Sequence, residues 1–147
     1  AAVLVGDALH AFPPDLGQGV NSALEDVTAL REALDREGDG RAAEAAARYQ
    51  KARAPEAEAL VKMMRVAAPF QYSQDPLRSQ LWMLSFLVRF ALNKALPGVF
   101  DLPLFLLVMK SELSYSEVWR RGTRGARRAR ILGGAMIGVL AILLRPM

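Results

Sequence analysis

Apolar residues occur along this chain in runs of different kinds, and each kind predicts a different element. The unbroken stretch Ala1-Ala2-Val3-Leu4-Val5 suits a buried parallel β-strand, which is normally covered by helices and flanked by other strands. Further on the pattern turns periodic: Val20, Ala23, Leu24, Val27, Leu30 and Leu34 recur at helical spacing, with Glu25, Asp26, Arg31, Glu32, Asp35 and Arg36 between them. That predicts an amphipathic helix with one packed face and one wet face, stopped by Glu37-Gly38-Asp39-Gly40. An Ala-rich helix follows over 41–68, bent or interrupted near Pro55. A more continuously apolar helix is predicted from Pro76 to Leu96, and another from near Asp101 through Met109. Their charges at Arg89, Lys94 and Lys110 favour a buried or lipid-facing helical layer over true membrane spans. The expected order is strand, loop from Gly6 to Gly17, then helices to the end.

Composition changes this picture in three respects. A chain of 147 residues is long enough for one domain with a real core, yet it starts without Met in an apolar run, which reads as the middle of a protein whose partner strands lie elsewhere. The absence of cysteine excludes a disulfide scaffold and a thiolate metal site. The net charge of +4 is unevenly placed: every charged residue from Arg120 onward is an arginine, and the rest of the chain is net acidic.

The basic tail therefore needs its own reading. Arg120, Arg121, Arg124, Arg127, Arg128 and Arg130 precede the uncharged run Ile131 to Leu144, which holds Gly134 and Gly138. No aromatic is interleaved with the arginines after Trp119, which argues against nucleic acid and for anionic lipid head groups, worth about 1 kcal/mol per basic residue near the surface. At ~1.5 Å per residue the apolar run covers about 21 Å of a hydrocarbon core near 30 Å, so the expectation is a tilted interfacial anchor or a shortened span.

Candidate chemistry is concentrated in Gly6-Asp7-Ala8-Leu9-His10-Ala11-Phe12-Pro13-Pro14-Asp15-Leu16-Gly17-Gln18-Gly19-Val20-Asn21, followed by Glu25-Asp26. A strand ending in Gly-Asp, a loop and a Gly-rich helix start can hold a polar cofactor at the carboxyl edge of a sheet. Asp7 can accept hydrogen bonds from a polyol, and Gly17 and Gly19 let backbone approach a flat ring. The helix start then aims its free N–H groups and positive dipole end at that ring. His10, the only histidine, invites a general-base role, but a structural one fits it better. Glu25 and Asp26 read as early-helix carboxylates favoured by the dipole rather than as an acid/base pair.

These residues resemble the second flavin-binding fingerprint of the class A flavoprotein monooxygenases, Gly-Asp-Ala-x-His, then Pro, then Gly-Gln-Gly-x-Asn and Glu-Asp. The resemblance implies FAD bound by Asp7, Pro14, Gly17, Gln18, Gly19, Val20 and Asn21, with Asp7 on the ribityl chain and Pro14 near the site of oxygen chemistry. Tyr49-Gln50-Lys51-Ala52-Arg53-Ala54-Pro55 is similar to the Tyr-x-x-x-Arg-x-Pro helix of the same superfamily, which packs on the flavin domain. Ser111 to Glu117 resembles the Ser-x-x-x-Tyr-x-Glu stretch of kynurenine 3-monooxygenases and would place Tyr115 at the substrate carboxylate. That family's substrate-binding Asn falls near Arg78 to Gln80, where this chain has none.

The fold class implied is part of an α/β flavin-binding domain, one strand and then mainly α-helical, with a carboxy-terminal membrane-seeking helix. The expected division is 1–55 for the end of the FAD-binding domain, 56–118 for a helical substrate cap and 119–147 for a membrane-anchor tail. By resemblance the complete enzyme uses NADPH and O2 to hydroxylate an aromatic substrate, is membrane-associated, with the mitochondrial outer membrane as the family's site, and takes no metal; the chain alone is expected to be inactive. The alternatives are a lipid-substrate flavoenzyme, squalene-epoxidase-like or prenyl-reductase-like, and a non-enzymatic membrane-anchored helical module.

Overall fold

The computed structural model describes residues 2–11, 13–67, 75–110 and 112–143, with the side chains of Asp15 and of 136–143 outside the description. Two short 3-10 turns, Gly6–Ala8 and Pro14–Leu16, precede the helices α1 (Gly19–Glu37), α2 (Ala42–Ala67), α3 (Pro76–Ala95), α4 (Leu104–Val108) and α5 (Tyr115–Leu143).

Local chemistry accounts for the helix ends. Gly38 takes φ 75° just after α1, where a side chain would be strained, and its N–H returns to the Leu34 carbonyl. Asp75 caps α3 by accepting from the Leu77 and Arg78 N–H groups, with Pro76 in the first turn. At the start of α5 the Ser114 hydroxyl accepts from the Glu117 N–H, while Glu56 reaches across from α2 to take the Ser116 N–H at 2.9 Å and its hydroxyl at 2.5 Å. The helix α2 runs through Pro55, whose ring removes one backbone donor without ending it.

The helices α1 and α2 form an antiparallel pair: Ala33 packs with Ala45 and Tyr49 near the connecting turn, while Arg53 reaches the amino-terminal half of α1. A second core joins α2, α4 and α5 through Leu60, Met63, Leu104, Leu107, Tyr115 and Val118, with Leu16 of the loop inserted into it. Leu60 and Met63 are fully buried. Full burial of such side chains stabilises by roughly 1.5–3 kcal/mol each.

The expected fold class is corrected at both ends. No strand occurs among the described residues: Val5 has extended angles (φ −137°, ψ 154°), but no second extended segment pairs with it, and a strand exists only through its ladder. Leu4 is exposed, and Val3 and Val5 instead pack against Ala33 and Tyr49.

The membrane-seeking tail is corrected too. No helix among the described residues is long and apolar enough to cross a membrane. The arginines that open the tail engage protein groups: Arg120 and Arg121 pair with Glu117, and Arg128 donates to the Val99 carbonyl. Gly122 and Gly125 lie against Leu104 and Asp101, so this part of α5 is packed on the neighbouring helix and loop. Of the apolar run, the side chains beyond 135 and residues 144–147, Gly138 included, lie outside the described residues.

The facing of α1 also differs from expectation. Val20, Leu24, Val27 and Leu34 of the apolar stripe are exposed, and the buried residues are Ser22, Asp26 and Ala33. Small side chains on that face let α2 approach closely, and polar groups accompany them inward because each finds a partner there.

Candidate functional site

The site is built around the Asp26 carboxylate, which is completely buried. One oxygen accepts the Gly6 N–H at 2.9 Å and lies 2.6 Å from His10 Nε2; the other accepts Arg53 Nε–H at 2.6 Å. Arg53 spreads its remaining donors over Glu25 at 2.8 Å and over the Ser22 carbonyl and hydroxyl, each at 3.2 Å. Burial alone would push the Asp26 carboxyl up, but the hydrogen bonds from Arg53, Gly6 and His10 outweigh it and hold the group below its usual range. Burial works against the charge on Arg53 in the same way, and Asp26 and Glu25 more than restore it. The result is an ionised, fully partnered clamp joining the first 3-10 turn, α1 and α2.

What the clamp fixes is the loop between Gly6 and Gly19. Gly6, at φ 59°, has only Ala23 close to where a side chain would begin, and Gly17, at φ 61°, has open space in front of it. The loop and the first turns of α1 enclose a cleft of about 590 Å³ lined by Asp7, Pro13, Pro14, Gly17, Gly19 and Val20. Asp7 is exposed at this cleft. No side chain caps the start of α1, so its first N–H groups remain available to a polar ligand, as does the dipole end.

Of the residues singled out in the sequence, Asp7, Pro14, Gly17, Gly19 and Val20 share this cleft, whereas Gln18 turns inward. Gln18 donates to the Leu16 carbonyl and accepts from Asn21 and from the Tyr115 hydroxyl, the last two at 3.2 Å. Tyr115 is buried, and that burial, with the charge of Glu25 next, pushes its phenol up to about 12, leaving it a neutral donor at ordinary pH. His10 is buried against Asp26 and Ser22, away from the cleft lining.

Sequence reasoning missed the depth of Asp26 and the roles of Ser22, Tyr49 and Leu16. Asp26 sits in the second turn of α1, past the reach of the helix start, so the dipole does not explain it. A signal did exist: Tyr49 and Arg53 stand four apart on one face of α2, where the first donates to the Leu4 carbonyl at 3.1 Å and the second holds Asp26.

An open glycine cradle at a helix start, with a carboxylate at its edge, fits a flat polar cofactor such as a flavin. Residues 2–64 match the family described as FAD binding domain. Over that stretch the chain is similar to FAD-binding domains, and FAD is the cofactor that such domains hold.

Along most of its length the chain is similar to proteins named kynurenine 3-monooxygenase. That of Salinispora arenicola is 34% identical over 91% of this chain and 28% of its own length. That of Xanthomonas campestris is 48% identical over 42% of this chain and 13% of its own, and that of Saccharomyces cerevisiae 28% identical over 96% and 30%. The chain thus spans less than a third of the length of these curated relatives. No solved structure matches it.

Proposed function

We propose that the protein carrying this chain is an NADPH-dependent flavoprotein monooxygenase that inserts one atom of O2 into the ring of a kynurenine-like aromatic substrate. The observation that carries this reading is the glycine-lined cleft beside Asp7, held by the Asp26–Arg53 clamp, in a chain similar to kynurenine 3-monooxygenases. FAD bound there supplies the oxygen and hydride chemistry. The chain's own contribution is positional. Asp7 accepts hydroxyl hydrogens of the polyol, and the Gly17–Gly19 turn brings backbone against the ring. The uncapped N–H groups at the start of α1 would serve the ring's polar atoms. Pro14, in the cleft lining, would shield the ring where oxygen reacts. Tyr115, a buried neutral donor, serves the substrate carboxylate, switching to it from Gln18.

The test is Asp7→Ala in the protein that carries this chain. The purified variant is expected to lose its flavin absorbance, because a charge-assisted acceptor for the polyol is gone. The unmutated protein is expected to oxidise NADPH faster when kynurenine is added and to release a product heavier by one oxygen. Flavin retained by Asp7→Ala overturns the placement of the polyol. An NADPH oxidation rate indifferent to kynurenine but raised by squalene overturns the substrate.

A further inference from the structure

Between α3, α4 and α5 lies a cavity of about 340 Å³ that shares no residue with the glycine-lined cleft. Its walls are aromatic: Trp82 and Phe86, stacked at 5.4 Å on α3, Phe105 on α4 and Trp119 on α5. This volume is at the lower end of the range of roughly 300–1,000 Å³ typical of small-molecule sites.

Arg89 lines the same cavity. Its guanidinium donates one bond, to the Gly122 carbonyl at 2.9 Å, while its Nε–H is buried with no hydrogen-bond partner. No carboxylate pairs with it among the described residues, and no acidic residue lines the cavity. A second cation, Arg130, stands at the same cavity. Burial and then the charge of Arg130 push the Arg89 group down from its usual value, and the charge of Asp101 offsets only part of that. A half-buried guanidinium whose Nε–H is buried without an acceptor among the described residues is a costly arrangement that an anion would relieve. The geometry of its donors suits a carboxylate. The aromatic walls suit a flat apolar body. Among the described residues of the lining no acid stands to receive an ammonium group.

We propose that this cavity binds an apolar carboxylate lacking an ammonium group, its carboxylate taken by Arg89 with Arg130 and its body held between the aromatic walls. The site is independent of the flavin reading and of any amino-acid substrate that reading implies.

The probe is 4-phenylbutyrate, titrated calorimetrically into the flavin-loaded protein that carries this chain, beside 4-phenylbutyramide and phenylalanine. The carboxylate is expected to bind at least about tenfold more tightly than either, as loss of a hydrogen-bonded charge pair implies. Arg89→Met is expected to weaken the carboxylate by about ten- to a hundredfold and to leave the amide unchanged. Arg89→Lys is expected to keep part of the preference. Ser85→Phe, placed at the exposed rim, blocks the cavity and weakens both ligands while sparing Arg89. If Arg89→Met fails to fold, Ser85→Phe and Arg89→Lys decide the matter. Equal affinity for acid and amide, or carboxylate binding untouched by Ser85→Phe, overturns the proposal. So does the absence of measurable binding, which would mean that a carboxylate from elsewhere in the protein already fills the place. A flavin absorbance change that tracks 4-phenylbutyrate binding assigns the probe to the flavin site and also overturns it.

Discussion

Replacing Asp26 with Asn keeps the size and nearly the shape of the buried hub and removes only its charge and one acceptor. The carboxylate receives Gly6 N–H and His10 Nε2 on one oxygen and Arg53 Nε–H on the other. An amide has one oxygen. If its NH2 faces Arg53, two donors meet and the guanidinium loses its partner; if it faces Gly6, the N–H of that turn is opposed instead. In the first case Arg53, itself buried, keeps only Glu25 and Ser22; in the second it keeps a neutral acceptor in place of a charge. Removing one partner of a buried ion pair costs about 3–5 kcal/mol, a large share of the roughly 5–15 kcal/mol that holds a domain together. Equilibrium urea unfolding is expected to show that loss as a lower midpoint at unchanged slope. Glu25→Gln is the control: Glu25 is half exposed in its pair with Arg53, so its loss is expected to stay below about 1 kcal/mol. The pH dependence follows from the same geometry. The Asp26 carboxyl is depressed in the folded state below its ordinary value of 3.8, so its stabilisation is complete above that value and disappears as pH falls through the lower, folded one. The acid limb of stability should therefore be shallower in Asp26→Asn than in the unmutated protein. A loss under about 1 kcal/mol, or an unchanged acid limb, refutes the clamp.

Tyr115→Phe removes the hydroxyl that reaches Gln18, and is expected to cost about 0.5–1.5 kcal/mol of stability with flavin content unchanged. If the same hydroxyl serves the substrate carboxylate, kcat/KM for kynurenine falls by roughly ten- to a hundredfold, mainly through KM, and a smaller than about threefold change removes Tyr115 from the substrate site. Glu56→Ala strips the start of α5 of its acceptor from α2 and is expected to cost about 0.5–2 kcal/mol in thermal or urea unfolding, with no change if the cap is dispensable. Gly17→Ala places a side chain at φ 61°, where nothing obstructs it sterically, so the expected loss is the backbone strain alone, about 1–2 kcal/mol. A larger loss of flavin than of stability in that variant would show the cradle itself disturbed.

The elements bounded by local chemistry were legible: α1 stops where Gly38 takes its positive φ, and α3 starts where Asp75 and Pro76 cap it. Asp7, Gly17 and Gly19, grouped by their spacing, line one cleft, while Gln18, grouped with them, turns inward. What spacing could not reveal was which face of α1 turns inward. An apolar period identifies a stripe, but Val20 and Leu24 stand outside while Ser22 and Asp26 are buried, because Arg53 from the helix packed alongside satisfies them. The strand failed for a related reason: five apolar residues favour extended backbone, yet a ladder needs a second segment that local pattern does not supply. Asp26 was misread because a carboxylate near a helix start has a cheap local explanation, and only the meeting of α1 with α2 discloses the other one.

The loop that lines the glycine cleft is held from two directions, and α2 serves both. At one end Arg53 anchors Asp26, and through it Gly6 and His10. At the other, Leu16 is pegged into the core shared by α2, α4 and α5, and the neighbouring Gln18 accepts from Tyr115 of α5. One turn beyond Arg53, Glu56 grips the start of α5 and so fixes where Tyr115 stands. A shift of α5 must then move Tyr115, Gln18 and the glycine turn together, because each is tied to the next by a buried contact with no slack in a close-packed core. Altered packing of α4 and α5 should therefore be felt at the cleft even though neither helix lines it, and felt first in the Gly17–Gly19 turn rather than at Asp7, which lies on the clamp's side of the loop.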